Sequence, residues 1–212
     1  MICVSIGTIA FEECFNSVKN IFMAEIRLDK VNFSVPEVTK LFLSHKNLIA
    51  TCRAESVSEE KRLELLTASI KAGASHVDIE LESTDVFKNN IIKLAKKNNS
   101  KIIISYHNYE KTPNKRELDQ ILSWCFDSGA EIAKIACKVT SVKDNARLLS
   151  LYDNDKQVIA IGMGELGKIT RVVAPILGAP FTYASYEKGK ETASGQIDKE
   201  TLNNLMETLK RV

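Results

Sequence analysis

The 212-residue sequence has no run of about 18 apolar residues, which is the length that a membrane-spanning helix needs. It also has no C-x-x-C pair and no basic segment leading into a signal peptide. An odd number of scattered cysteines argues against a disulfide framework and against a zinc site. We therefore expect a soluble, cytoplasmic protein with five free cysteines: Cys3, Cys14, Cys52, Cys125 and Cys137.

An excess of one charge is missing as well. The 29 basic and 27 acidic side chains leave a net charge of +2, with no long basic run. This balance excludes an obvious nucleic-acid or membrane partner. No linker rich in proline, glycine and serine divides the chain. Since 44% of the residues are apolar, we predict one compact domain over residues 1–212 that buries a sizeable core.

Short apolar runs rich in β-branched residues recur along the whole chain and predict strands. Longer stretches with helical spacing separate them. The helix signals agree, because Ser34 precedes Pro36 and Glu37, and Gly73 and Gly129 follow helical stretches. The eight predicted strands are Ile2–Ile6, Met23–Leu28, Leu48–Cys52, Val77–Leu81, Ile102–Tyr106, Ile132–Ala136, Val158–Met163 and Phe181–Ala184.

Eight strand–helix units fit either a doubly wound open sheet or a closed barrel. The spacing of charged residues along the sequence distinguishes between these two folds. Arg53, Glu80, His107 and Lys134 follow one another at intervals of 27 residues, each at a predicted strand end, and Arg27 precedes them by 26. In a barrel such positions converge on one mouth, whereas an open sheet would spread them along an edge. We predict an α/β fold, a (β/α)8 TIM barrel without an N-terminal hairpin.

Strand parity places these side chains on the inner face. Because side chains alternate faces along a strand, Glu25 and Arg27 share one face, as do Asp78 and Glu80. The residues between them are mainly apolar and should pack under the helices. Charged side chains inside a barrel cost several kcal/mol unless they form ion pairs or serve a functional site. The presence of several such side chains at one end of the barrel therefore predicts a polar site.

Lys134 and His107 are the candidate catalytic residues. Lys134 lies within an apolar strand, where burial favours the uncharged amine that a Schiff base needs. The structural alternative is a lysine paired with a carboxylate across the barrel. His107, one unit earlier, can move protons near neutral pH. The other histidines, His45 and His76, have ordinary structural interpretations.

Three arginines, Arg27, Arg53 and Arg171, suit a carboxylate ligand because a guanidinium forms bidentate contacts. Alternatively, they form salt bridges with nearby acidic residues, and both can hold at once. The acidic residues in question are Glu25, Asp29 and Glu80.

The segment Gly162–Gly167 reads G-x-G-x-x-G and follows a predicted strand, which matches a dinucleotide-binding pattern. However, only one strand and one helix follow it, too few for the βαβαβ unit that holds such a cofactor. We therefore expect an anion-binding or loop role for these glycines and no NAD.

Seven segments in register along nearly the whole chain resemble the type I 3-dehydroquinate dehydratase family. Any one would be weak evidence, but together they fall on the predicted strand ends and loops. They are Glu25-Ile-Arg-Leu-Asp29, Thr51-Cys-Arg53, Asp78-Ile-Glu80, Ser105-Tyr-His107-Asn, Ala133-Lys134-Ile-Ala136, Ile169-Thr-Arg171 and Ala193-Ser-Gly-Gln196.

The resemblance implies syn loss of water from 3-dehydroquinate, giving 3-dehydroshikimate in the shikimate pathway. By position, Lys134 would form the Schiff base, His107 would be the general acid/base and Arg171 would hold the substrate carboxylate. Thr192 and Gln196 would contact the substrate from a closing loop over 186–196. Ring-hydroxyl and site-shaping contacts would come from Ser5, Glu25, Arg27 and Arg53. The family needs no metal or diffusible cofactor, and only the family suggests a homodimer.

This sequence departs from the family pattern in several places. The N-terminal hairpin of many members is absent, Thr192 replaces a common serine and Ser194 a common proline. The glutamate that some members carry after the residue matching Arg53 has two candidates here, Glu55 and Glu59. Glu80 is our candidate for the carboxylate beside His107.

Two other functions fit part of the pattern. A class I aldolase acting on a sugar phosphate would use the glycines after strand 7 as a phosphate cradle. A non-catalytic barrel that senses an anionic metabolite would keep the arginines and would not need Lys134. Arg171 and Gln196 suit a carboxylate better than a phosphate, which favours the dehydratase.

Overall fold

The computed structural model describes residues 1–55 and 57–210. Strands and helices alternate throughout. The strands are β1 (Ile2–Ile6), β2 (Ala24–Arg27), β3 (Leu48–Thr51), β4 (His76–Glu80), β5 (Lys101–Asn108), β6 (Ile132–Lys138), β7 (Val158–Met163) and β8 (Thr182–Ser185). The helices are α1 (Phe11–Val18), α2 (Val35–Ser44), α3 (Glu59–Lys71), α4 (Asp85–Lys97), α5 (Lys115–Asp127), α6 (Val142–Leu149), α7 (Lys168–Val173) and α8 (Lys199–Lys210).

All eight strands are parallel and belong to one sheet in the order β7-β6-β5-β4-β3-β2-β1-β8. Each strand from β2 to β7 therefore lies beside its predecessor in the chain, and β8 returns to pair with β1. The sheet curves into a nearly closed barrel surrounded by the helices. The predicted (β/α)8 barrel is confirmed, and the open-sheet alternative is wrong. Within the described residues, no helix has the length and apolar character to cross a membrane.

The predicted strands are all present, but three continue further at their carboxyl ends than expected. β5 reaches Asn108, β6 reaches Lys138 and β8 reaches Ser185. Lys134 is therefore the third residue of a seven-residue strand, not a residue at a strand end, and it pairs in register with Ser105. The prediction placed Lys134 at the barrel mouth, whereas the longer strand puts it one layer deeper, in the barrel interior.

Apolar residues pack on both faces of the sheet. One cluster fills the space between sheet and helices and includes Ile26, Ile79 and Ile104, as strand parity predicted. A second cluster fills the barrel interior below the mouth and includes Ile103 and Ile159. Because the lower interior is closed by apolar side chains, a polar site can form only near the carboxyl ends of the strands.

The helix ends follow the local sequence signals. Ser34 caps α2 in a capping box in which its backbone N–H donates to the Glu37 carboxylate at 2.7 Å. Gly73 and Gly129 end α3 and α5 with φ of +96° and +95°, a region that favours glycine. These three predictions are confirmed.

Candidate active site

A cavity of about 350 Å³ opens at the carboxyl ends of the strands. It lies within the size range of small-molecule sites. Strand-borne charged groups form its floor, and residues of the loop after β8 form one wall. Its predicted site residues are Glu25, Arg27, Arg53, His107, Lys134, Arg171, Thr192 and Gln196, and Tyr109, Met163 and Tyr183 also line it.

The Lys134 amine lies at the floor of this cavity. The residue is only 5% exposed. Its Nζ donates to Glu25 Oε1 at 3.2 Å and to Asp78 Oδ2 at 3.0 Å. The carboxylate-pairing alternative therefore holds, and the same amine faces the cavity. Two carboxylates orient the nitrogen, which is what a nucleophile at a fixed position requires.

Asp78, on β4, connects Lys134 to the rest of the floor. Both of its oxygens accept from Arg53 at 2.9 Å, and Oδ1 also accepts from Ser105 at 2.6 Å. Burial acts to raise the pKa of Asp78, but the Arg53 and Lys134 charges outweigh it and hold that pKa well below its usual value. Asp78 is thus a permanent anion under the lysine.

Glu25, on β2, has a similar environment. Its carboxylate accepts from Ser5 Oγ at 2.5 Å and from Thr51 Oγ1 at 3.0 Å, in addition to Lys134. Burial opposes ionisation, yet the charges of Lys134 and Arg27 lower the pKa of Glu25 overall. The Ser5 hydroxyl also lies 2.7 Å from Thr192 Oγ1 and is fully buried. Ser5 is therefore behind the site and not on the cavity surface.

His107 lines the cavity one layer above Lys134, since Ala136 is its register partner on β6. Burial lowers the pKa of His107 well below its usual value, and the Arg53 and Lys134 charges add to this, while Asp78 opposes it. The ring stacks on Tyr109 with centroids 6.1 Å apart. A neutral imidazole at neutral pH is suited to accept a proton.

Glu80, predicted as the carboxylate beside His107, contacts other groups. Its Oε2 accepts from Arg62 at 2.9 Å and from the Ala54 backbone N–H at 3.0 Å. The carboxylate whose charge acts on His107 is Asp78. The structure does not support the predicted role of Glu80, because Arg62 on α3 reaches over the strand end and binds that carboxylate.

The arginines differ in their pairing. Arg27 forms an ion pair with Asp29 at 2.6 Å, as the structural alternative predicted. Arg53 pairs with Asp78, which was not among the predicted partners. Both of these guanidinium groups are therefore held in place before any ligand arrives.

Among the described residues, Arg171 on α7 has no ion-pair partner. It is 2% exposed, and the one hydrogen bond of its guanidinium within this part of the chain runs from Nη1 to the Tyr183 carbonyl at 3.4 Å, while Nε has no partner there. Burial lowers its pKa to about 10, opposed in part by Glu25. A desolvated cation without a counter-ion is unfavourable unless a ligand supplies the negative charge.

The loop after β8 covers one side of the cavity. Thr192 bonds to Ser5, and its backbone N–H donates to Gln196 Oε1 at 2.7 Å. The Gly164 N–H donates to the Ser194 carbonyl at 3.2 Å, which ties this loop to the loop after β7. A Cβ on Gly195 would lie 2.4 Å from the Gly164 oxygen, so glycine is required where the loops meet.

The G-x-G-x-x-G glycines serve backbone packing. A Cβ on Gly167 would lie 2.4 Å from the Gly162 carbonyl carbon. The N–H groups of Gly162, Gly164 and Gly167 donate to Thr170 Oγ1, to the Ser194 carbonyl and to the Gly164 carbonyl. The N–H groups of these three glycines are thus already bonded within the protein and are not free to hold a phosphate.

Sequence reasoning missed Asp78, Ser105 and Tyr183 as members of the site. The signal for Asp78 was available, because it shares the inner face with Glu80 and lies two residues before it on the same strand, where it bonds to Lys134. Tyr183 alternates with outward-facing neighbours on the predicted strand and could have been placed inside on that ground. What the sequence did not contain was the depth of each strand relative to the others.

The hydrogen-bonded charges at the cavity floor, Lys134, Asp78 and Arg53, lead to a prediction about stability. Asp78→Asn should lower the free energy of unfolding by about 3–5 kcal/mol, because Arg53 and Lys134 lose a buried counter-ion. Chemical denaturation at neutral pH measures this. Glu64→Gln is the matched control, since Glu64 pairs with Lys61 on the exposed face of α3 and its loss should cost under about 0.5 kcal/mol. Equal effects of the two substitutions would contradict the network.

The chain matches the family model for type I 3-dehydroquinase over residues 2–211. It is 32% identical over 219 residues to a 3-dehydroquinate dehydratase of Dehalococcoides mccartyi, covering 100% of this chain and 95% of that protein. It is 35% identical over 220 residues to one of Methanococcus maripaludis, covering 99% and 100%.

Solved structures agree. The 3-dehydroquinate dehydratase of Aquifex aeolicus superposes with a TM-score of 0.85 at 29% identity, covering all of both chains. The type I enzyme of Clostridium difficile, solved with covalently modified comenic acid, gives 0.86 at 25% identity over 100% of this chain and 92% of that one. The resemblance read from the seven segments is confirmed.

Proposed function

The chain belongs to the type I 3-dehydroquinase family, and from this premise we propose that it is a 3-dehydroquinate dehydratase acting through a Schiff base on Lys134. In this reaction the enzyme removes water from 3-dehydroquinate and releases 3-dehydroshikimate.

One observation carries the proposal. A single cavity holds an oriented lysine amine, a neutral imidazole and an arginine without a counter-ion. These are the three groups needed to hold a keto acid by its carboxylate, to activate its ketone and to move a proton beside it. Each group belongs to a different element, respectively β6, β5 and α7, and the barrel brings the three together.

The first stage is imine formation. The Lys134 amine, in its uncharged form, attacks the ring ketone, and the hydroxyl of the resulting carbinolamine takes up a proton and leaves as water to give an iminium. Glu25 and Asp78 supply fixed negative charge next to the nitrogen, which favours the cationic iminium over a neutral imine. The iminium draws electrons from the adjacent carbon and makes its proton more acidic.

The second stage is elimination. His107 accepts the proton from that carbon, and the iminium becomes an enamine. The imidazolium then donates the same proton to the departing hydroxyl, which leaves as water. Because one residue on one side of the ring serves both steps, the elimination is syn. Hydrolysis of the conjugated imine consumes one water, balances the water lost in condensation and returns the Lys134 amine.

The remaining site residues would bind and enclose the substrate. Arg171 would take the carboxylate, and Thr192 and Gln196 would cover it from the loop after β8. Glu25 and Arg27 line the cavity and would contact ring hydroxyls. Ser5, held by Glu25 and Thr192, has a supporting position instead. Arg53 also lines the cavity and is held in place by Asp78.

The phosphate-binding alternative has less support. An aldolase that acts on a sugar phosphate would need free backbone N–H groups after β7, and those of Gly164 and Gly167 are bonded within the protein. One guanidinium without a counter-ion suits a single carboxylate.

The direct test is turnover. Purified protein mixed with 3-dehydroquinate should produce the ultraviolet absorption of a conjugated product, with kcat in the ordinary range of about 1–10³ s⁻¹. Sugar phosphates should give no reaction, and inorganic phosphate should not inhibit. Folded protein that binds 3-dehydroquinate without turnover would favour the sensor alternative.

Arg171 provides a prediction about substrate binding. Arg171→Met should raise KM about 10–100-fold, because it removes a charge-assisted contact to the substrate carboxylate, and kcat should change less. Thermal stability should stay the same or rise, since the arginine is a buried cation without a counter-ion. The exposed Arg116→Met on α5 is the control and should leave KM unchanged. An unaltered KM in Arg171→Met would remove Arg171 from the binding site.

We further propose that the protein serves the shikimate pathway in the cytoplasm. All five cysteines are free and buried, which suits a reducing compartment. A homodimer stays a prediction from the family.

A further inference from the structure

Tyr183 is one of the cavity residues that the family resemblance did not assign. It lies on β8, faces the barrel interior and is 2% exposed. Its ring centroid is 4.2 Å from Lys134 Nζ, well within the range of a cation–π contact. The proposed nucleophile therefore has two carboxylates and one aromatic face around it.

The hydroxyl of Tyr183 does not account for this placement. Its oxygen is buried and has no hydrogen-bond partner among the described residues. Burial raises the pKa of Tyr183 well above its usual value, and the charges of Glu25 and Asp78 act in the same direction, so the phenol stays neutral. An unpaired buried hydroxyl is a cost to folding, which leaves the ring as the useful part of the side chain.

The ring and the carboxylates differ in what they require of the nitrogen. A lysine ammonium has three N–H donors and can bond Glu25 and Asp78 at once. An iminium nitrogen keeps one N–H, so at least one of those two hydrogen bonds is lost when the Schiff base forms. The attraction of a ring face for a cation needs no N–H and persists.

We propose that the aromatic ring of Tyr183 positions Lys134 and stabilises the substrate iminium. This inference deepens the proposed function and rests on it. Tyr183 acts when the lysine has given up hydrogen-bond donors, and it favours the charged iminium over free amine and ketone. The role belongs to the ring, so phenylalanine should replace tyrosine and an aliphatic residue should not.

Substitution of the side chain should leave carboxylate binding intact. Arg171 contacts Tyr183 through the backbone carbonyl, at 3.4 Å, and a side-chain change does not remove that acceptor. Loss of the ring should therefore weaken the iminium without removing the proposed carboxylate contact. This separates the expected effect from a general loss of substrate binding.

The experiment compares wild type, Tyr183→Phe and Tyr183→Leu. Each protein is mixed with increasing 3-dehydroquinate, allowed to reach equilibrium with product and reduced with borohydride, and the fraction of Lys134 carrying an adduct is measured by peptide mass spectrometry. Tyr183→Leu should need about 10-fold more ligand for half-maximal trapping, the effect expected for a desolvated cation–π contact. Tyr183→Phe should match wild type within about 2-fold.

Thermal unfolding of each variant checks the fold. If Tyr183→Leu does not fold, Tyr183→Met replaces it, since methionine fills irregular space without an aromatic face. Equal trapping in the folded aliphatic variant and wild type would overturn the proposal, as would a loss in Tyr183→Phe equal to that in the aliphatic variant. Absence of any adduct in wild type would instead refute the proposed function.

Discussion

Replacing Lys134 by methionine should abolish turnover of 3-dehydroquinate, with kcat reduced by about 10⁴-fold or more. In the proposed mechanism the amine supplies the covalent intermediate, and no other lysine forms an ion pair with Glu25 or Asp78 among the described residues. Steady-state kinetics with the ultraviolet assay measure the loss. Residual binding through Arg171 should remain and is measured by calorimetry.

A second substitution at the same position, together with a control elsewhere, separates the loss of chemistry from a loss of folding. Lys134→Met leaves Glu25 and Asp78 short of a cation and should lower stability, whereas Lys134→Arg keeps a positive charge at that position without the nucleophilic amine. Both should be inactive. Lys143→Met, at an exposed position of α6, is the matched control and should keep wild-type kcat. Activity above about 1% of wild type in Lys134→Arg would contradict the Schiff-base mechanism.

Replacing His107 by asparagine should lower kcat by about 10²–10⁴-fold, the usual contribution of a general acid/base. The iminium on Lys134 should still form, because its nitrogen and its two carboxylates are unchanged. Borohydride should therefore trap a Lys134 adduct in a nearly inactive enzyme. Full loss of trapping in a folded variant would show that His107 is needed for imine formation and not chiefly for elimination.

The same residue predicts the pH dependence. Because burial and the Arg53 and Lys134 charges lower the pKa of His107, its imidazole is neutral and able to accept a proton well below pH 6.5. Any fall in kcat/KM that arises from His107 protonation should therefore have its midpoint below pH 6.5. His45→Gln, which replaces a histidine bonded to the Ile21 carbonyl away from the cavity, should leave that profile unchanged.

The barrel could be predicted from the sequence because its determinants are local and periodic. Short apolar runs set the strands, Ser34 and Gly73 set helix ends, and inward charges such as Glu25 recur where strands finish. Each of these signals depends only on residues close together in the sequence. The alternation of side chains along a strand then determines which face of the sheet each one lies on. Lys134 and His107 could be predicted to lie on neighbouring strands because one strand–helix unit separates them in the sequence.

The pairing inside the site could not be predicted in the same way. Arg53 follows the end of β3 and pairs with Asp78 on β4, whose register partner is Thr51, so the arginine side chain reaches back by two residues. The Glu80 carboxylate is bound by Arg62 on α3. Both outcomes depend on strand stagger and on side-chain reach, which have no local sequence signal. The greater length of β6 likewise moved Lys134 from the mouth to the interior.

The absence of a counter-ion for Arg171 is the observation that the sequence least suggested. Acidic residues are abundant in this chain, and none of those described forms an ion pair with it. Only the packed structure shows that the guanidinium is buried without an ion-pair partner among the described residues.

The most direct test is to mix the wild-type protein with 3-dehydroquinate, reduce with borohydride and locate the mass increase by peptide mass spectrometry. We predict one adduct, on the peptide that contains Lys134, and none when 3-dehydroquinate is omitted. A folded protein that binds 3-dehydroquinate and shows no adduct on Lys134 would contradict the Schiff-base account.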